Sequence, residues 1–223
     1  MIKRLIFDID NTLIRGMNFD VANEQTLKDL NMYTEQNFRL FKKAIQEYEK
    51  YHDNYNKEDY FNFLKQTMKC CLPPHFIDCF FDNLSFLIPK DATSIEQYLQ
   101  KMARHYELVL LTNYFKESQI RRLEKMNLAK YFSECYGEEK IKPYPESFLL
   151  ACQNHKPFEC VMIGDNYTVD ILGAQKLGLN TIFVNPSHIE NPLNSPEVKQ
   201  VEEITSKFIR KLEKKNSIFT VLI

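Results

Sequence analysis

Leu5-Ile6-Phe7-Asp8-Ile9-Asp10-Asn11-Thr12 is a short apolar run that stops on a carboxylate, with a second carboxylate two residues on. An apolar run of this length reads as a strand covered on both faces of a parallel sheet. The form recurs three times. Residues 108–111 end at Thr112, residues 160–163 at Gly164-Asp165, and residues 181–184 at Asn185-Pro186. Helical patterns lie between these runs. Residues 93–105 carry Ile95, Tyr98, Leu99 and Met102 on one stripe, and residues 116–126 carry Ile120, Leu123 and Met126. Residues 147–155 and 169–177 form shorter patterns, and residues 201–215 are amphipathic. Strands alternating with helices predict a doubly wound, Rossmann-like α/β sheet.

Residues 16–88 break the alternation. Residues 37–51 place Phe38, Phe41, Ile45 and Tyr48 at helical spacing, and Asn56 is a plausible cap for a helix over 58–68. Pro73-Pro74 opens a third helix with Phe76, Ile77, Phe80 and Leu84. The expected organisation is an α/β core of residues 1–15 and 89–223, interrupted at 16–88 by an all-helical domain with its own aromatic core. Gly16 would supply flexibility at the junction. The run 217–223 (SIFTVLI) is short and β-prone, and suits either an edge strand or a docking tail.

Composition narrows the functional classes. The 223 residues carry 29 Lys+Arg against 30 Asp+Glu, a formal net charge of -1. So even a balance gives no support to a nucleic-acid or anionic-membrane binder. No apolar run approaches the ~18 residues of a membrane span. The first residues are too short in apolar character and too acidic for a signal peptide. The six cysteines form no C-x-x-C pair and read as small buried hydrophobes of a reducing cytosol. A cytoplasmic protein, monomer or homodimer, is expected.

Ligands of open α/β sheets bind outside the carboxyl ends of the strands. Those ends bear Asp8 and Asp10, Thr112 and Asn113, and Asp165. Lys142 lies in a loop, Lys140-Ile-Lys-Pro-Tyr-Pro-Glu-Ser-Phe148, that enters a helix. Crowded carboxylates repel unless a cation joins them. A hard divalent ion such as Mg²⁺ suits oxygen ligands and phosphate together. The set therefore points to a phosphate ester, with one carboxylate attacking phosphorus.

These residues also fall into four ordered motifs: Asp8-Ile9-Asp10-Asn11-Thr12 (D-x-D-x-T), Thr112, Lys142 before Pro143, and Gly164-Asp165 followed by Asp170 (G-D-x-x-x-x-D). In them the chain resembles the haloacid dehalogenase superfamily, in its phosphatase branch with a helical cap after the first motif. The resemblance spans roughly residues 1–186 outside the cap. It implies that Asp8 is the nucleophile and that Asp10 protonates the leaving oxygen, then activates water. It implies Mg²⁺ held by Asp8, the backbone carbonyl of Asp10, and Asp165. Thr112, Asn113 and Lys142 would bind the phosphoryl group, and Asp170 would orient Lys142 or metal-bound water from behind. Asn11 stands where glycine is frequent, and asparagine tolerates the left-handed turn.

The expected activity is Mg²⁺-dependent hydrolysis of a small phosphorylated metabolite through an aspartyl-phosphate. A phosphomutase would share the same residues. A true dehalogenase has no need of Asp10, and a non-catalytic binding module has no need of intact motifs. Arg15 at the cap junction is expected to be solvated, the five histidines to lie at the surface or in packing, and Lys207, Arg210, Lys211, Lys214 and Lys215 to form a wet helix face.

Overall fold

The computed structural model describes the backbone of residues 1–220 and the side chains of residues 1–213. Chain order begins with β1 (Arg4–Phe7). Four helices follow: α1 (Phe19–Asp29), α2 (Glu35–Tyr51), α3 (Lys57–Met68) and α4 (Phe76–Ser85). Next come α5 (Ala92–Met102), β2 (Glu107–Leu111), α6 (Lys116–Lys125), β3 (Glu134–Tyr136), α7 (Pro145–Cys152) and β4 (Cys160–Gly164). A π-type turn (Tyr167–Leu172) then runs into α8 (Gly173–Lys176), and β5 (Asn180–Val184), β6 (Glu197–Val198) and α9 (Ser206–Thr220) complete the order. Among the described residues no helix is long and apolar enough to cross a membrane.

The sheet is parallel throughout, in the order β3-β2-β1-β4-β5-β6. Period-2 alternation divides each central strand between two apolar layers. Leu5 and Phe7 face the α5 and α9 side with Ile95, Leu99 and Ile209, whereas Ile6 faces α7 and α8 with Phe148 and Ala174. Both faces are covered, which is why the strands read as unbroken apolar runs. The chain winds one way from β1 to β3 and the other way from β4 onward. The crevice beyond β1 and β4 is therefore the topological switch point. Phe7 is in register with Leu110 on one side and Ile163 on the other, so these strands end level.

The four inserted helices form where local chemistry favours them. Thr34 caps α2 by accepting from the Asn37 N–H, and Asn56 caps α3 by accepting from Glu58 and Asp59. Phe41, Tyr48, Phe76 and Phe80 are buried together, with Phe38 and Phe61 packed at the edge. The same cluster contains Phe115, which lies outside the inserted segment and is 1% exposed. Phe115 packs against Tyr55, Tyr60 and Phe81, with ring centroids 4.9, 5.1 and 5.2 Å away. Two backbone bonds tie the insertion further to the core: Tyr55 N–H to Glu138 O (2.7 Å) and Ile141 N–H to Asp53 O (3.0 Å).

Several expectations are corrected. In α6, Ile120 is exposed, while Ser118, Gln119, Arg122 and Leu123 are buried. Arg15 is ion-paired and half-buried instead of freely solvated. Its guanidinium forms a bidentate pair with Glu202 (2.9 and 3.0 Å) and contacts Asp91. The amphipathic stretch 201–215 is broken at Ile204-Thr205, between a single 3-10 turn and α9. Residues 217–220 continue α9, and residues 221–223 lie outside the described residues. Of the six cysteines, all free, only Cys152 and Cys160 are buried.

Candidate active site

The site is built at the switch point, where β1, β2 and β4 end. The Asp8 N–H bonds Ile163 O (2.9 Å), which carries the chain level with β4 before it turns. Asn11 takes φ +61°, the left-handed conformation asparagine tolerates, and Ile14 N–H closes the loop on Ile9 O at 2.8 Å. Asp8 and Asp10 thereby leave the strand on the crevice side. Thr112 is held from β3 by a bond from its N–H to Tyr136 O (3.0 Å). Gly137 supports it from behind at φ +121°, where an added Cβ would lie 1.7 Å from Thr112 O, so no side chain fits.

Lys142 sits at the centre, 2% exposed. Its Nζ lies 2.6 Å from Asp8 Oδ1 and 2.7 Å from Asp170 Oδ1. Asp170 comes from the π-type turn and also accepts from the Asn166 N–H at 2.9 Å. Gly164 leaves it room, since an added Cβ there would stand 2.4 Å from Asp170 Oδ2. Asp165 accepts from the Thr12 hydroxyl at 3.2 Å. One carboxylate oxygen each from Asp8, Asp165 and Asp170 lies within 4.8 Å of the others.

With all three carboxylates ionised, one lysine would leave two uncompensated negative charges, so the set resists ionisation. Burial pushes the Asp8 carboxyl up to about 8, and neighbouring Lys142 only partly opposes this. Burial and the nearby Asp170 charge raise Asp165 as well. Burial would lower Lys142, but Asp170 and Asp8 outweigh it and shift the ammonium upward. A single divalent cation matches this donor set in charge, and its all-oxygen character suits Mg²⁺.

Asp10 is placed apart from that cluster. Its Oδ1 accepts from Arg122 Nη1 (2.8 Å) and its Oδ2 from Gln119 Nε2 (2.9 Å). Gln119 also donates to the Thr112 hydroxyl oxygen at 3.0 Å, so one amide couples the Asp10 carboxyl to Thr112. The Asn113 side chain bonds the backbone of the lysine loop. Its oxygen accepts from the Lys142 N–H (2.7 Å) and its amide donates to Lys142 O (2.8 Å). That side chain clamps the lysine loop.

The apolar-stripe reading of α6 overlooked Arg122 and Gln119. The available signal was a polar i, i+3 pair in the helix directly after Thr112. A cavity of about 500 Å³ adjoins the cluster, with Asp10, Asn113 and Arg122 on one wall and Asp20, Lys42 and Glu49 of the inserted helices on the other.

Residues 2–178 match the family model of the haloacid dehalogenase-like hydrolases. Pyrimidine 5′-nucleotidase PynA of Streptococcus pneumoniae is 26% identical over 216 residues, covering 85% of this chain and 86% of that protein. Glyceraldehyde 3-phosphate phosphatase of Methanothermobacter thermautotrophicus is 25% identical over 227 residues, covering 92% and 97%. Among solved structures, a 2-haloacid dehalogenase of Pseudomonas syringae superposes with a TM-score of 0.66 at 19% identity, covering 96% of this chain and 99% of that one.

Proposed function

The chain belongs to the haloacid dehalogenase-like hydrolases and hydrolyses phosphoric monoesters; on that premise we propose a Mg²⁺-dependent phosphatase of a small phosphorylated metabolite, working through an aspartyl-phosphate on Asp8. The observation that carries the proposal is the Asp8–Lys142–Asp170 line, with Asp165 alongside, at the switch point of the sheet.

Asp8 attacks phosphorus, forming an Oδ–P bond as the ester P–O bond breaks. Asp10 gives its proton to the leaving alkoxide, then takes one from the water that cleaves the acyl phosphate and frees Asp8. Arg122 and Gln119 hold the Asp10 carboxyl in place through both steps. Lys142 and the Thr112 hydroxyl face the transferring oxygens, and Asn113 fixes the lysine loop. Mg²⁺, bound by Asp8, Asp165 and the Asp10 backbone carbonyl, would supply the charge neutralisation that lets a phosphate dianion approach a carboxylate.

Residues 16–88 act as a cap over this site, with residues 1–15 and 89–223 as the catalytic core. The same proposal puts a cytoplasmic enzyme, monomer or homodimer, with free cysteines. Phosphate release from p-nitrophenyl phosphate tests it. Turnover should require Mg²⁺, stop on chelation, and fall at least ~1,000-fold in Asp8→Asn, about 4 kcal/mol of barrier, while the variant stays folded. Retention of a tenth of the activity would rule out the covalent step.

A further inference from the structure

The cavity beside Asp10 has a charge imbalance. Its ionic side chains are Asp10, Arg122, Asp20, Lys42 and Glu49. Arg122 pairs with Asp10 through Nη1 at 2.8 Å, its Nε and Nη2 are buried away from the cavity surface without a hydrogen-bond partner, and its guanidinium carbon lies 5.4 Å from the Phe19 ring centroid. Lys42 Nζ is 2.5 Å from Asp20 Oδ2. Glu49 alone is left without a cation or a hydrogen-bond donor among the described residues.

Glu49 lies in the last turn of α2, close to the negative end of the helix dipole, so the backbone offers it no relief. Its side chain is exposed to the cleft, and partial desolvation there, followed by the Asp10 charge, raises its pKa. Its field also reaches the Tyr55 hydroxyl, which lines the same cavity. The leaving group of a substrate whose phosphorus sits at Asp8 must extend from Asp10 into this space.

We infer that Glu49 is a specificity-determining residue: it selects phosphomonoesters whose alcohol portion is cationic, or neutral and rich in hydrogen-bond donors, and turns away those with a second anionic group. This rests on the phosphatase proposal above. A carboxylate acceptor gains a partner from an ammonium or a hydroxyl, and meets only repulsion from a second carboxylate or phosphate.

Glucosamine 6-phosphate, glucose 6-phosphate and 6-phosphogluconate have one phosphomonoester, six carbons and three different tail charges. Each is measured as a competitive inhibitor of p-nitrophenyl phosphate turnover by the full-length enzyme with Mg²⁺. The expected inhibition constants rise in that order, by about tenfold or more from first to last. In Glu49→Gln the spread should contract by about tenfold, and in Glu49→Lys it should reverse. Three equal constants in the unmodified enzyme, whether all tight or all too weak to detect, would overturn the inference. So would an unchanged spread in both variants. Failure of the phosphatase proposal is a separate result: no Mg²⁺-dependent turnover of the aryl phosphate itself.

Discussion

Lys142 shows how one side chain serves both stability and chemistry. It is buried between two carboxylates. Removing one member of a buried ionic set strands the others, at a cost of about 3–5 kcal/mol. Lys142→Met should therefore lower the metal-free melting temperature far more than a surface lysine substitution would. Because the remaining carboxylates attract a cation more strongly, Mg²⁺ should recover more stability in the variant than in the unmodified protein. Thermal unfolding with and without Mg²⁺ measures both quantities. Equal stabilisation by Mg²⁺ in the two proteins would count against a cation site beside Lys142. At this scale the sequence is eloquent about strand ends, since Asp8, Thr112 and Asp165 each follow an apolar run. It is silent about partners. Nothing in the neighbourhood of Asn113 announces that its amide bonds the Lys142 backbone through both nitrogen and oxygen.

Elements were readable where one force dominates. β1, β2, β4 and β5 are buried on both faces, so hydrophobicity alone marks them. β3 and β6 escape notice because they have three and two residues at the two edges of the sheet. α1 escapes because its buried positions are Ala22, Asn23, Thr26 and Leu27, half of them polar. Arg15 was misjudged for a related reason: its partners, Glu202 and Asp91, are distant in the chain. That network pins the exit from the β1 loop to the start of α5 and the turn before α9. Burial alone would raise Glu202, but the hydrogen bonds from Arg15 prevail and hold it below the usual carboxylate range. A depressed carboxyl stabilises the fold above its unfolded pKa, near 4.3, and loses that contribution as pH falls through the folded value. Since the pairs are partly solvated, Arg15→Met should cost only about 1 kcal/mol at pH 7. The difference from the unmodified protein should shrink as pH falls below the unfolded value and through the depressed folded one. Urea unfolding across that range decides it, and a constant difference would mean that Arg15 acts by packing alone.

For the whole molecule, the inserted helices and the core share a load that sequence order conceals. The segment 16–88 looks self-contained, because its aromatics repeat at helical spacing and its caps are local. Yet Phe115, at the start of α6, completes its apolar cluster, and Arg121 of the same helix pairs with Asp78 and Asp82 across the boundary. α6 also carries Arg122 and Gln119, which grip Asp10. One helix therefore has its first residues anchored to the inserted helices and its inner face anchored to the Asp10 carboxyl. Truncating Phe115 to alanine would open a void among Tyr55, Tyr60 and Phe81, at a cost of about 3–5 kcal/mol. Because that void lies between the two units, the loss should appear in one shared unfolding transition, followed equally by far-ultraviolet circular dichroism and by tyrosine fluorescence. Excised residues 16–88, lacking Phe115, should fail to melt cooperatively. If the excised segment folds on its own, or if Phe115→Ala splits the transition while leaving the core's midpoint in place, cap and core are separate folding units and α6 does not couple them.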